Sequence, residues 1–173
     1  MSFENILQII EIIAVATGVI FALYQLRQYH HRRNRDAALV LLHSLQTPEF
    51  SHGMGLLFEL TEGLTKEEFK EQVGDNMLYF YALFATFESI GVLVYHKELD
   101  ITLVHDFFSG PITLCWRKCG RYFEEIRKET NQESIGEWFQ WLAERISELD
   151  KQSITLPAHI AYKDWNPPKI KRL

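Results

Sequence analysis

Hydrophobic positions divide the chain into one long apolar run and a series of shorter helical stripes. From Ile6 to Leu26 the only charged side chain is Glu11, and Arg27, Arg32, Arg33 and Arg35 follow soon after. A helix needs roughly 20 mainly apolar residues to cross a bilayer core, and this run is about that long. A secretory signal would carry its positive charge before the apolar stretch and a small-residue cleavage site after it. Here the order is reversed, so the pattern predicts a retained anchor. On a helix, Glu11, Ala14, Gly18, Ala22 and Gln25 share one stripe, extended by Glu4 on one side and by Tyr29 and Arg32 on the other. Ile9, Ile12, Ile13, Val19, Ile20, Leu23 and Leu26 cover the rest. Small residues at every fourth position let helix backbones approach closely in lipid. A carboxylate and an amide on that stripe are costly against hydrocarbon and should face protein or water. Glu11, Ala14, Gly18, Ala22 and Gln25 are therefore the expected seam of a homo-oligomer. They would line a pore if a ring of such helices encloses water.

Beyond Asp36 apolar residues recur at helical spacing, and no stretch alternates as a strand would. "AALVLLHSLQ" is expected to continue the anchor helix. Thr47 with Pro48 then caps a new helix, "EFSHGMGLLFELTE", which should end at Gly63. Thr65 and Glu68 form a capping box for the next. "VGDN" reads as a turn. "SGP" at Ser109–Pro111 reads as a helix break, with a fresh helix from Ile112 to Lys128. "NQES" reads as a loop, Ser134 and Glu137 as the cap of the last helix, and "NPPK" as an extended tail. The fold class is thus all-α: an N-terminal transmembrane helix continuing into a helical bundle. The divisions are 1–36 for the anchor and its basic segment, 37–150 for the bundle, and 151–173 for the tail.

One bundle segment has the composition of a second span. Met77–Tyr95 carries only Glu88 as a charge. Its flanks lack the excess of positive charge that marks a cytoplasmic loop, and a helix apolar all round can equally be the centre of a bundle. The core helix is the expectation. A carboxylate buried there needs a partner, and Arg117 and Arg121 are the expected partners in a buried ion pair.

Charge adds an orientation. The chain has 173 residues and a net charge of −5, which argues against a specific nucleic-acid partner. The hydrophobic fraction of 47% excludes a disordered chain. Arg27, Arg32, Arg33 and Arg35 after the span should stay cytoplasmic and contact anionic lipid, leaving the N-terminus outside and the bundle inside. A plasma-membrane location, inner membrane in a bacterium, follows. Cys115 and Cys119 are too few for a disulfide framework, and with one helical turn between them they suit core packing better than metal binding.

No pattern names a reaction. The chain has no P-loop, no glycine-rich dinucleotide fingerprint and no nucleophile elbow. The helical HEPN ribonucleases carry Arg, four to six residues, then His, and no arginine here has a histidine at that distance. No catalytic residue, cofactor or metal is expected. The opposing reading is an enzyme built on the bundle around Glu88.

Several segments together carry a resemblance: the span followed by arginines, "LHSLQTPEF", "FATFESIGVLVYHKELD", "LVHDFFSGPITLCWRKCGRYFEEIRKE" and "EWFQWLAERI". With Phe87, Glu88, Gly91, Trp116, Trp138 and Trp141, they resemble an uncharacterised bacterial family of single-pass membrane proteins with a helical cytoplasmic domain of unknown function. The resemblance runs from the anchor to about Ile146 and implies fold and topology, not activity. In general plan the chain is also similar to small pore-forming accessory proteins found beside some RNA-targeting CRISPR systems. The expected function is that of a self-associating, non-enzymatic membrane effector, sensor or adaptor, including a pore component of phage defence or stress response. A protein partner or small-ligand trigger would act on it.

Overall fold

The computed structural model describes residues 8, 13–25, 39, 43, 47–152 and 158–167. Every described element is helical: α1 (Ile13–Gln25), α2 (Pro48–Glu59), α3 (Lys66–Val73), a 3₁₀ turn (Gly74–Asn76), α4 (Met77–Tyr95), α5 (Ile101–Thr130), α6 (Glu137–Gln152) and a short α7 (Ala158–Ala161). The all-α expectation is met. The continuation of the anchor helix through residues 37–46 lies outside the described residues, apart from Leu39 and His43, both helical.

Local signals set several boundaries. The Thr47 hydroxyl accepts from the Phe50 N–H with Pro48 in the first turn, so the start of α2 is as the sequence predicts. Thr65 and Glu68 form the reciprocal capping box of α3. α2 stops at Glu59, short of Gly63. Asp100 opens α5 by accepting from the Thr102 N–H at 2.8 Å.

The predicted break at Ser109–Pro111 does not occur: α5 runs unbroken from Ile101 to Thr130 with Pro111 inside it. An interior proline costs about 3 kcal/mol in an isolated helix. Here the buried stripe Val104, Phe108, Ile112, Cys115, Cys119 and Tyr122 passes straight through that point. Burying a single large apolar side chain contributes about 1.5–3 kcal/mol, so Phe108 and Ile112 together outweigh the proline.

α4 lies at the centre, packed mainly on α2 and α6, while α5 packs on α6 and α3. Its residues Phe80, Leu83, Phe84, Phe87, Ile90, Gly91 and Val94 are buried. The Phe87 ring sits 5.9 Å from Phe50, 6.4 Å from Phe108 and 5.3 Å from Phe139. One aromatic cluster thus joins α2, α4, α5 and α6.

Helix ends in this bundle are closed by side chains from other helices. Lys118, buried on α5, donates to the Leu57 and Phe58 carbonyls at 3.0 and 3.1 Å, near the carboxyl end of α2. Glu125, also on α5, accepts from the Lys66 N–H at 2.6 Å at the amino end of α3. Each charge meets the helix end of opposite sign, where backbone groups are left without intrahelical partners.

Candidate functional site

The expected assembly seam lies on α1. Ala14, Gly18, Ala22 and Gln25 are all described, helical and exposed. A side chain added at Gly18 would meet nothing within 4 Å. The rest of the helix is equally bare: Ile13, Val15, Val19, Ile20, Phe21, Leu23 and Tyr24 are 54–68% exposed. The Thr17 hydroxyl is turned inward on its own helix, donating to the Ile13 carbonyl at 2.8 Å. This hides its polarity and leaves an almost wholly apolar surface. Glu11 and the arginines at 27, 32, 33 and 35 lie outside the described residues.

Glu88 is not in the predicted ion pair. Its Oε2 accepts from the Phe139 N–H at 2.7 Å and its Oε1 from the Trp138 N–H at 3.3 Å. These are the second and third residues of α6, the N–H groups that an N-cap side chain normally takes. Arg117 instead pairs with Glu62 at 2.9 Å. Arg121 pairs with Glu125 at 2.9 Å and donates to the Gly63 carbonyl. The reason is topological: Glu88 points to the start of α6, whereas the two arginines lie exposed on α5 beside the α2–α3 loop. The cap expected from Ser134 is supplied instead by the Glu88 carboxylate, 50 residues before Trp138 in the chain.

Gly91, one turn after Glu88, completes this clasp. A Cβ there would meet the Trp138 carbonyl oxygen and lie 2.8 Å from its carbonyl carbon. Only glycine lets α4 come so near the α6 backbone. Beyond it Tyr95 lies 4.7 Å from Trp138 and edge-on to Trp141 at 6.1 Å. The FESIG segment is therefore a joint: Phe87 enters the core, Glu88 caps α6 and Gly91 admits its backbone. A carboxylate in an otherwise apolar helix was the visible signal. Its backbone partners carry no sequence signature.

The charged groups around α3 form a second joint. Lys66 pairs with Glu129, and its own N–H goes to Glu125. Glu125 is held below the usual carboxylate value by that N–H first and by Arg121 next. Glu68 is lowered by its bonds to Thr65. Glu129 raises Lys66. Arg127 anchors the α5–α6 connection by donating to the Ile135 carbonyl at 2.8 Å and to Gln140 at 2.6 Å.

Cys115 and Cys119 are fully buried and free. Burial first, and the neighbouring Cys119 thiol second, push the Cys115 thiol well above its ordinary value, which suits packing and opposes reactivity. Burial also raises Tyr122, helped by its hydrogen bond with Tyr81. Among the described residues no cluster of three or more His, Cys, Asp or Glu is placed to hold a metal ion. His105 bridges α5 to Asp150 at 2.7 Å.

A family model described as a domain of unknown function, DUF4760, matches residues 12–146. The chain belongs to this family. The match begins inside the apolar run and takes in α1, the Glu88–Gly91 joint and α6 as far as Ile146, so both the bare helix and the joint are parts of a DUF4760 domain. No curated protein and no solved structure matches the chain.

Among the described residues, one helical run is long and apolar enough to cross a membrane. It is Lys66–Tyr95, which contains α4. Ile13–Gln25 is a shorter apolar helix.

Proposed function

We propose that this DUF4760 protein is a single-pass membrane protein anchored by the helix that includes Ile13–Gln25, with its bundle on the cytoplasmic side. It self-associates in the membrane through the face of Ala14, Gly18, Ala22 and Gln25, and acts by assembly, not bond chemistry, as an effector, sensor or adaptor. The observation that supports this reading most is the bareness of α1. Its large apolar side chains are more than half exposed, whereas α4 buries Phe80, Leu83, Phe84, Phe87, Ile90 and Val94 in the bundle and leaves Leu78, Tyr81 and Tyr95 more than half exposed. Water does not tolerate so continuous an apolar surface, and a bilayer or neighbouring helices would cover it. Glu88, the natural centre for an enzyme on this bundle, has both carboxylate oxygens engaged by the α6 backbone.

The test compares two substitutions on the same helix. Gly18→Leu adds bulk where backbones should meet, and Val19→Leu adds it toward lipid. Native mass measurement in nanodiscs is expected to show a smaller oligomer for Gly18→Leu and an unchanged one for Val19→Leu. An intact oligomer in both removes the seam. In the pore version of the same assembly, Glu11→Gln changes ion permeability of reconstituted vesicles without dispersing the oligomer. Unchanged permeability leaves a scaffold or adaptor.

A further inference from the structure

The three parts of the chain carry opposite charges. Residues 47–152 hold 19 acidic and 10 basic side chains. The following segment to the C-terminus holds Lys163, Lys169, Lys171 and Arg172 against Asp164 alone. The arginine-rich segment that precedes the bundle is basic as well. An acidic body between two basic ends is repelled by an anionic surface across its middle and attracted at both ends.

The described part of the tail adds apolar groups to that charge. After α7, turn hydrogen bonds run from the Tyr162 N–H to Ala158 and from the Trp165 N–H to Tyr162. Ile160, Tyr162 and Trp165 are 46%, 69% and 66% exposed, and Lys163 lies between the two aromatic residues. Tyrosine and tryptophan have an apolar body and one polar tip, which suits the headgroup layer. Basic residues nearby each contribute about 1 kcal/mol at an anionic surface. One membrane signal of this kind binds weakly and reversibly, whereas two hold.

We infer that the C-terminal segment around Ile160, Tyr162, Lys163 and Trp165 is a second, reversible membrane contact that takes anionic phospholipid headgroups. It rests on the proposed anchor, which keeps the tail close to lipid. With both ends held, the bundle would be tethered near the membrane at two points, its acidic body kept off the anionic surface. With the tail released, it would swing on the anchor alone.

The test places a polarity-sensitive fluorophore on Asn166→Cys in the full chain. Cys115 and Cys119 are buried and do not compete for the label. The protein is put into nanodiscs of phosphatidylcholine alone or with phosphatidylglycerol. The expected result is blue-shifted, brighter emission in the anionic discs, reversed by high salt. Lys163→Glu should lower the docking equilibrium at least about fivefold, the factor corresponding to about 1 kcal/mol. Equal emission in both discs overturns the inference. So does a blue shift in neutral discs that disappears when each disc holds one subunit, because the tail would then be docking on a second copy. Loss of the chain from the disc peak refutes the anchor instead. The label is then read against free vesicles of the same two compositions, where the same contrast decides.

Discussion

α1 and α4 are both apolar helices, yet the protein treats them oppositely. α4 places Phe80, Leu83 and Phe87 inside the bundle at 0–1% exposure, and α1 leaves Val19, Ile20 and Phe21 bare. Each helix has a single glycine. Gly91 is pressed against the Trp138 backbone, and Gly18 faces open space. Each interrupts its apolar surface with polar groups. Those of α4 are consumed within the chain, since Glu88 caps α6. The polar Gln25 of α1 remains exposed. Hydropathy measures how much a helix needs covering; it does not say what covers it. For α4 the cover is the rest of this chain. For α1 we propose lipid and other copies.

The largest expected effect comes from removing cover where the chain supplies it. Phe87→Ala empties a site bounded by Phe50, Phe108 and Phe139 and is expected to destabilise the bundle by about 3–5 kcal/mol. Phe21→Ala on α1 should leave bundle stability unchanged. Urea unfolding in detergent, followed by tryptophan fluorescence, measures both. Equal losses would mean that α1 packs on the bundle, and the contrast between the helices would fail.

A smaller effect is expected at the joint. Glu88→Ala leaves the Trp138 and Phe139 N–H groups without their acceptor, a loss of about 1–3 kcal/mol. Glu88→Gln keeps one carbonyl oxygen that can accept from Phe139 and should lose less. If both variants unfold like the parent chain, the cap is not a source of stability and α4 is held by apolar contacts alone.

The smallest effect is with acid. Glu68, Glu125 and Asp100 each accept backbone N–H bonds near helix starts, and each is held below its ordinary value. Such groups bind protons less tightly when folded. Their contribution is complete above the unfolded values, near 3.9 for Asp and 4.3 for Glu, and is lost as pH falls through the lower folded values. The bundle's Tm should therefore keep its neutral-pH value down to about pH 5 and drop below about pH 4. A Tm that rises in that range would contradict the assignment of these carboxylates as helix caps.

The parts legible in the sequence were those written over short distances. Thr47 with Pro48, and Thr65 with Glu68, announce helix starts because the capping atoms lie three residues apart. The core role of Met77–Tyr95 could be argued from its flanks. What could not be read was non-local. Glu88 looked like half of an ion pair because an arginine has a sequence signature and a backbone N–H has none. Its real partners lie 50 and 51 residues away. Lys118 and Glu125 were missed for the same reason: they close the ends of helices that only the fold brings near them. Pro111 misled in the other direction. Its local propensity to break a helix lost to a buried stripe visible only once α5 is packed.

Hydrophobic photolabelling tests the opposition between the two helices most directly. The full chain in vesicles is irradiated with a lipid-soluble carbene precursor, digested, and mapped by mass spectrometry. The account predicts label in the peptide containing Ile13–Gln25 and little in Met77–Tyr95. Equal labelling of both peptides, or labelling of α4 alone, would contradict it, because α4 would then share or own the membrane surface assigned to α1.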